Sequence, residues 1–206
     1  MTQAGEAAAL AALLEEVRAC RLCAAHLPLG PRPVVRASPT ARLLIVGQAP
    51  GTRVHANGTP WDDASGDRLR AWLGLDRETF YDESRIAIVP MGFCYPGTAP
   101  RGGDLPPRPE CAPAWHPALL RLMPRVELTL LVGAHAQTRY LGTTARAGMT
   151  RTVAQWRDRL PAFLPTPHPS WRNTGWLRRN PWFEAELVPE LRRRVAGLLG
   201  YSAERT

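Results

Sequence analysis

The stretch Leu43-Leu44-Ile45-Val46-Gly47-Gln48-Ala49-Pro50-Gly51 decides the fold of this chain. Its first four residues are aliphatic, which is typical of a strand that is buried on both faces of a parallel sheet. The glycines and the proline that follow predict a tight turn at the end of this strand. Because ligands bind at the carboxyl ends of strands in open α/β sheets, this turn is the first candidate for a binding site.

Three further apolar runs predict strands, and helical patterns alternate with them. The strands are expected at 86–89, Leu128–Val132 and 162–164. Helices are expected at 6–19, 65–73, 114–122, Ala134–Leu141 and 181–199. This alternation predicts an α/β fold, a three-layer α/β/α sandwich with a central four-stranded parallel sheet. The length of 206 residues suits a single domain over residues 1–206.

The charge of the chain favours a phosphate-bearing partner. Its net charge is +8, and all 26 basic residues are arginines, whose guanidinium groups fit phosphate oxygens. A biased genome composition is the alternative explanation for the missing lysines. Without lysine, neither Schiff-base catalysis by that side chain nor a Walker A nucleotide site is available. No apolar run approaches the ~18 residues of a membrane span, and residues 1–14 lack a basic signal region, so we expect a cytoplasmic, nucleoid-associated monomer.

Four cysteines form a close pair, Cys20 and Cys23, followed by two distant single residues, Cys94 and Cys111. This layout is typical of a metal or iron–sulfur site that folding assembles. In a cytosolic chain, thiolate ligands are favoured over disulfides. A structural zinc site with four cysteine ligands is the alternative.

Two polar motifs contain candidate catalytic groups. Trp61, Asp62 and Asp63 follow one another, and an aromatic ring beside carboxylates suits stacking on a flat base next to a water-positioning group. The structural alternative is that Asp63 or Ser65 caps the helix that follows. In the second motif, prolines on both sides of His168 rigidify its backbone. The residues after it interleave aromatic rings with arginines, as in proteins that contact nucleic acids.

In combination, these features resemble the uracil-DNA glycosylase superfamily. The turn at 47–51 is similar to the first active-site motif of that family, and His168-Pro169-Ser170 matches the second. The cysteine layout is similar to that of the iron–sulfur branches, families 4 and 5. The resemblance extends from Cys20 to about residue 194 and implies an enzyme that removes uracil, and other deaminated bases, from DNA.

The resemblance also implies residue roles. Catalysis would fall to Asp63, His168 and Gln48, with Asp62 as the alternative to Asp63. Trp61 would stack on the flipped base, in a pocket completed by Gly47, Gln48, Ala49, Phe93 and His168. The DNA contacts would be Ser170, Trp171, Arg172 and Asn173. A [4Fe–4S] cluster would be held by Cys20, Cys23, Cys94 and Cys111.

Two departures from the family pattern affect the expected activity. Ala49 stands where several relatives have Asp or Asn, and Gln48 stands where family 4 has Glu. The asparagine that reads the uracil edge in many relatives is missing, and Pro90 is near its place. We therefore expect relaxed base specificity, extending to hypoxanthine or xanthine. The alternative function is a weakly catalytic or non-catalytic binder of damaged or abasic DNA.

Overall fold

A computed structural model describes residues 2–100 and 102–200 of the chain. The strands of its central sheet are β1 (Leu43–Val46), β2 (Ile86–Ile88), β3 (Leu128–Val132) and β4 (Phe163–Thr166). They lie in the order β2-β1-β3-β4, and every pairing is parallel. The predicted four-stranded parallel sheet is confirmed.

Helices cover both faces of this sheet. They are α1 (Gln3–Ala19), α2 (Thr52–Asn57), α3 (Ala64–Leu73), α4 (Arg77–Phe80), α5 (Cys111–Arg121), α6 (Ala134–Leu141), α7 (Met149–Ala154), α8 (Thr174–Arg179) and α9 (Val188–Leu199). None of the helices in the described part of the chain is long and apolar enough to cross a membrane.

Alternation along the strands divides the core into two apolar layers. In β1, Leu43 and Ile45 pack on one side with α3 and α9, whereas Leu44 and Val46 pack on the other with α1 and α5. Both layers exclude water from β1 completely, since all four of these side chains are 0% exposed. The three-layer α/β/α sandwich is therefore confirmed, and burial of these aliphatic faces is its main source of stability.

The C-terminal helix differs in one detail from the prediction of a single helix over 181–199. A π-helical turn at Phe183–Leu187 precedes α9. Pro189 has no N–H group to donate to the carbonyl four residues earlier, so the regular α-helical bond cannot form there. The wider turn still buries Phe183 and Leu187 against the sheet.

The strand order determines where a site can form. From β1 the chain crosses to β2 on one side, and from β2 it crosses back to β3 on the other side of β1. Such a reversal opens a crevice at the carboxyl ends of the strands, which is the usual ligand position in this architecture.

Candidate active site

A cleft of about 510 Å³ opens at the carboxyl ends of the strands. It brings together most of the residues that the sequence predicts for catalysis and for binding base and DNA. Those that line it are Gly47, Gln48, Ala49, Trp61, Asp63, His168, Ser170, Trp171, Arg172 and Asn173. The first motif reaches the cleft directly from β1, and the second follows β4. Two segments far apart in sequence therefore meet because their strands belong to the same sheet.

Trp61 forms an aromatic wall of the cleft. Its ring lies 5.4 Å from the ring of His168 between centroids. The indole rests on Gly47, where a Cβ atom would lie only 2.7 Å from Cζ2 of Trp61. Trp61 has a positive φ of 58°, and Arg70 donates to its carbonyl oxygen at 3.2 Å. Such a strained backbone persists only where the surroundings fix it, and it is common at ligand sites.

His168 is held in one orientation by its own loop. The main-chain N–H of Ser170 donates to Nδ1 of His168 at 3.2 Å, and the Asn173 amide donates to the His168 carbonyl at 2.7 Å. An Nδ1 that accepts a hydrogen bond leaves the proton of the neutral ring on Nε2. Burial lowers the pKa of His168, with the nearby Asp63 opposing that shift. The ring is therefore a neutral hydrogen-bond donor at physiological pH.

Asp63 and Asp62 occupy different environments. Asp63 lines the cleft and caps α3, because its Oδ1 accepts the main-chain N–H of Gly66 at 2.8 Å. Asp62 is held away from the cleft lining by Asn57 at 2.7 Å and Arg77 at 2.8 Å, one on each carboxylate oxygen. The Arg77 bond lowers the pKa of Asp62. Asp63 thus caps α3 with one carboxylate oxygen, and its second oxygen is available to a ligand in the cleft.

The first motif presents main-chain donors to the cleft. In the described part of the chain, the N–H groups of Gln48 and Ala49 meet no main-chain acceptor. The Gln48 side-chain amide donates to the carbonyl of Leu105 at 3.1 Å, while its main-chain carbonyl accepts from Gly92 at 2.9 Å. Gln48 therefore ties the turn to two neighbouring loops.

The second motif continues onto the outer rim of the cleft. Trp171 is 74% exposed, which is exceptional for an indole. The Arg172 guanidinium lies 5.4 Å from the Trp171 ring, and Arg68 donates to the Ser170 carbonyl at 3.2 Å. The rim thus combines an exposed aromatic ring with two arginines.

Phe93 is the predicted base-binding residue that the structure does not bring to the cleft. It is 1% exposed and stacks on His116, with ring centroids 5.9 Å apart. Its place is in the core layer beneath α5 and beside Cys111. Two residues of the preceding turn reach the cleft region instead, since Pro90 lines the cleft and Gly92 adjoins Ala49. We therefore leave Phe93 out of the base-binding set.

The four cysteines line one small cavity, although they come from distant parts of the chain. All four are free thiols. The Phe93 N–H donates to Cys111 Sγ at 3.3 Å, and burial raises the pKa of Cys111 to about 12. In residues 2–100 and 102–200, no three His, Cys, Asp or Glu side chains are grouped as ligands of a single metal ion. The donor set fits a cluster, because four thiols line one cavity whose other walls are apolar apart from Arg108. Main-chain N–H groups of Phe93 and Arg32 donate to the sulfurs of Cys111 and Cys94.

One carboxylate of the cleft was not anticipated from the sequence. Asp104 lines the cleft from the loop between Cys94 and Cys111. Burial raises its pKa, with Arg172 opposing the shift and Asp63 adding to it. The sequence does single out this residue, because Asp104 is the only acidic residue of the proline-rich stretch 96–109.

Residues 35–192 match the family described as the Uracil DNA glycosylase superfamily. The matched segment contains the whole sheet and every cleft residue named above. Cys20 and Cys23 precede it, so the match does not bear on the cysteine cavity. Members of this superfamily are glycosylase hydrolases that act on DNA. Since the match covers more than half of the chain, this protein belongs to the uracil-DNA glycosylase superfamily.

Proposed function

We propose that this protein hydrolyses the N-glycosidic bond of uracil, and of other deaminated bases, in DNA. A base inside a duplex does not expose this bond, so the nucleotide must first rotate out of the stack at a cost of about a few kcal/mol. One observation carries the proposal. An aromatic wall (Trp61), a neutral imidazole donor (His168) and a carboxylate (Asp63) line the same cleft.

In this proposal the flipped base stacks on Trp61. Negative charge develops on the base as the bond to C1′ breaks, and the Nε2–H of His168 donates to a base oxygen. The free main-chain N–H groups of Gln48 and Ala49 are further donors at the same end of the cleft. Fixed donors of this kind need no reorganisation during the reaction, and one of them contributes about 3–4 kcal/mol in favourable cases.

Positive charge develops on the sugar at the same time. The free oxygen of Asp63 stabilises that charge from the other side of the cleft. The cap on α3 fixes the position of the carboxylate, so the group is already aimed when the substrate binds.

The walls of the cleft support broad base selection. Pro90 lines it near the place where many relatives carry a base-reading asparagine, and proline offers no side-chain amide. A site that forms fewer hydrogen bonds with the base edge rejects fewer analogues. We propose that hypoxanthine and xanthine are accepted beside uracil.

DNA would bind across the rim that carries Trp171. Its exposed indole is suited to wedge into the gap that a flipped nucleotide leaves, and apolar side chains of many DNA-binding proteins insert between base steps in this way. Arg172 beside this ring and Arg68 on the Ser170 carbonyl add positive charge for phosphates, so binding should weaken steeply with salt.

We further propose that Cys20, Cys23, Cys94 and Cys111 hold a [4Fe–4S] cluster. When bound, such a cluster supplies four iron–thiolate bonds that tie the end of α1 to both ends of the loop that carries Asp104. Anaerobically purified protein should be brown and absorb near ~400 nm, whereas a zinc protein is colourless.

Ala49 favours a second candidate, a binder of damaged DNA with little turnover. Oligonucleotides with a single uracil, hypoxanthine or xanthine, each single- and double-stranded, separate the two. The protein is used in excess, and each product is divided between a sample with hot alkali and one without. A glycosylase gives strand breaks only after alkali, because an abasic site is alkali-labile and no lysine is present to cut the strand. Retained binding with no breaks for any base would establish the binder.

A further inference from the structure

The carboxylate of Asp104 reaches the cleft on a short hairpin. Its arms, residues 97–100 and 102–105, are joined by bonds from Leu105 N to Gly97 O at 2.8 Å and from Ala99 N to Gly103 O at 2.7 Å. The Gln48 amide fastens the hairpin to the first motif through the Leu105 carbonyl. Asp104 therefore sits on a fixed element, although the sequence of this region is rich in proline and glycine.

The surroundings of Asp104 leave its carboxylate available. One of its oxygens lies over Gly51, where a Cβ atom would be 3.3 Å from Oδ2. In residues 2–100 and 102–200 the carboxylate forms no hydrogen bond or ion pair. The Arg172 guanidinium packs on the neighbouring Gly103, where a Cβ would be 1.8 Å from Nη1. Asp104 is thus a solvent-exposed acid at the cleft wall, close to a cation but not neutralised by a direct bond.

The other carboxylates near the cleft are engaged. Asp62 has both oxygens paired, and Asp63 has one oxygen committed to the cap of α3. Ala49, in the first motif, has no ionisable group. Asp104 is therefore the carboxylate best placed to receive a proton.

We propose that Asp104 is the general base of this site and takes the proton from the attacking water. The inference rests on the proposed glycosylase function. In the step, the water oxygen bonds to C1′ while the C1′–N bond breaks and its electron pair goes to the base. The water proton moves to Asp104, which returns it to the departing base. The products are an abasic site and a free base, so atoms and charges balance.

This assignment divides the work between two carboxylates. Asp63 stabilises the charge on the sugar, and Asp104 handles the proton. Partial desolvation in the cleft raises the pKa of Asp104, and a raised pKa makes the ionised carboxylate a stronger base. Arg172, which borders the DNA rim, opposes that rise in the pKa of Asp104.

The test compares Asp104→Ala and Asp104→Asn with the wild type in single-turnover excision of uracil at saturating enzyme. Affinity for an uncleaved oligonucleotide and the melting temperature are measured in parallel. Asp158→Ala is the matched control, because Asp158 is exposed and lies in the 3-10 turn Trp156–Arg159, away from the cleft lining. Sodium formate is then added to each variant, since a small carboxylate can enter the space that alanine leaves.

We expect both Asp104 variants to lose about 100-fold or more in excision rate, with DNA affinity changed less than threefold. Formate should restore part of the rate of Asp104→Ala and leave the control unaffected. Excision by Asp104→Ala within threefold of the wild type would overturn the inference. A joint loss of excision rate, DNA affinity and melting temperature without rescue by formate would also overturn the inference, because it would show that Asp104 only stabilises the hairpin. Failure of the proposed glycosylase function is distinguishable from failure of this inference, because the wild type would then release none of the bases.

Discussion

The two roles of Asp63, as helix cap and as catalytic carboxylate, can be separated by two substitutions. Asp63→Asn keeps a side-chain oxygen that can accept the Gly66 N–H, and asparagine caps helices about as well as aspartate. It removes only the negative charge. Asp63→Ala removes the charge and the cap together. The pair therefore tests catalysis and folding on the same position.

Loss of the cap should lower the stability of the protein, whereas loss of the charge should lower the excision rate. Loss of an N-cap costs about 1 kcal/mol, and a domain of this size then melts about 2–4 °C lower. Loss of a pre-aimed electrostatic contact to a transition state lowers the rate by about 10²–10³. We expect Asp63→Asn to show the rate loss with an unchanged melting temperature. We expect Asp63→Ala to show the same rate loss together with the lower melting temperature.

The assay is single-turnover release of uracil with protein in excess, alongside thermal unfolding and equilibrium binding to the same oligonucleotide. We expect DNA affinity to stay within threefold for both variants, because the proposed contact of Asp63 strengthens only as charge develops on the sugar. If Asp63→Asn excises at the wild-type rate, Asp63 is a helix cap alone. If rate and affinity fall equally, the carboxylate serves binding and not the chemical step.

Three further substitutions test other parts of the site. Gly47→Ala should displace the indole of Trp61, which lowers the excision rate at least about tenfold and the free energy of unfolding by about 1–3 kcal/mol. Gly197→Ala is the control, because its Cβ would meet open space, and it should lower neither quantity. A fully active Gly47→Ala protein would contradict the proposal that the base stacks on Trp61. Cys23→Ala should lose the brown colour and melt at a lower temperature, and a colourless variant with unchanged melting would argue against a structural cluster. Trp171→Ala should weaken duplex binding by about 1–3 kcal/mol without loss of stability, whereas Trp171→Phe should retain most of the affinity. Equal binding by the wild type and both variants would exclude the insertion of Trp171 between bases.

The sheet was predictable because its strands are short aliphatic runs between turn residues. β1 and β3 have the predicted bounds, since Leu43–Val46 is apolar throughout and Leu128–Val132 is apolar except for Thr129. β4 begins and ends later than expected, at Phe163–Thr166, because Pro165 does not resemble a strand residue. Its missing N–H is tolerated here, since β4 is an edge strand that pairs only with β3.

The short helices were not predictable from periodicity. The segments α2 and α7 have only six residues each, too few for a repeat of apolar residues to show. The cleft lining was predicted more completely, because the two motifs lie at strand ends and strand ends meet. The prediction that Phe93 lines the cleft was wrong. This residue also follows a strand, but its side chain turns into the core layer on His116, and which way a residue of an irregular turn points is decided by packing.

Local sequence marks Asp104 as an isolated acid but does not place it in the cleft, because its position depends on contacts with residues distant along the chain. Its hairpin meets the first motif through Gln48 and the second through Arg172, and the loop that contains the hairpin begins at Cys94 and ends at Cys111. The proposed cluster would therefore fix both ends of the segment that carries the proposed base. It follows that loss of the cluster should lower excision mainly through Asp104, and that formate should raise the residual rate of a folded Cys23→Ala protein. A Cys23→Ala protein that keeps the wild-type rate would show that Gln48 and Arg172 hold the hairpin without help from the cysteines.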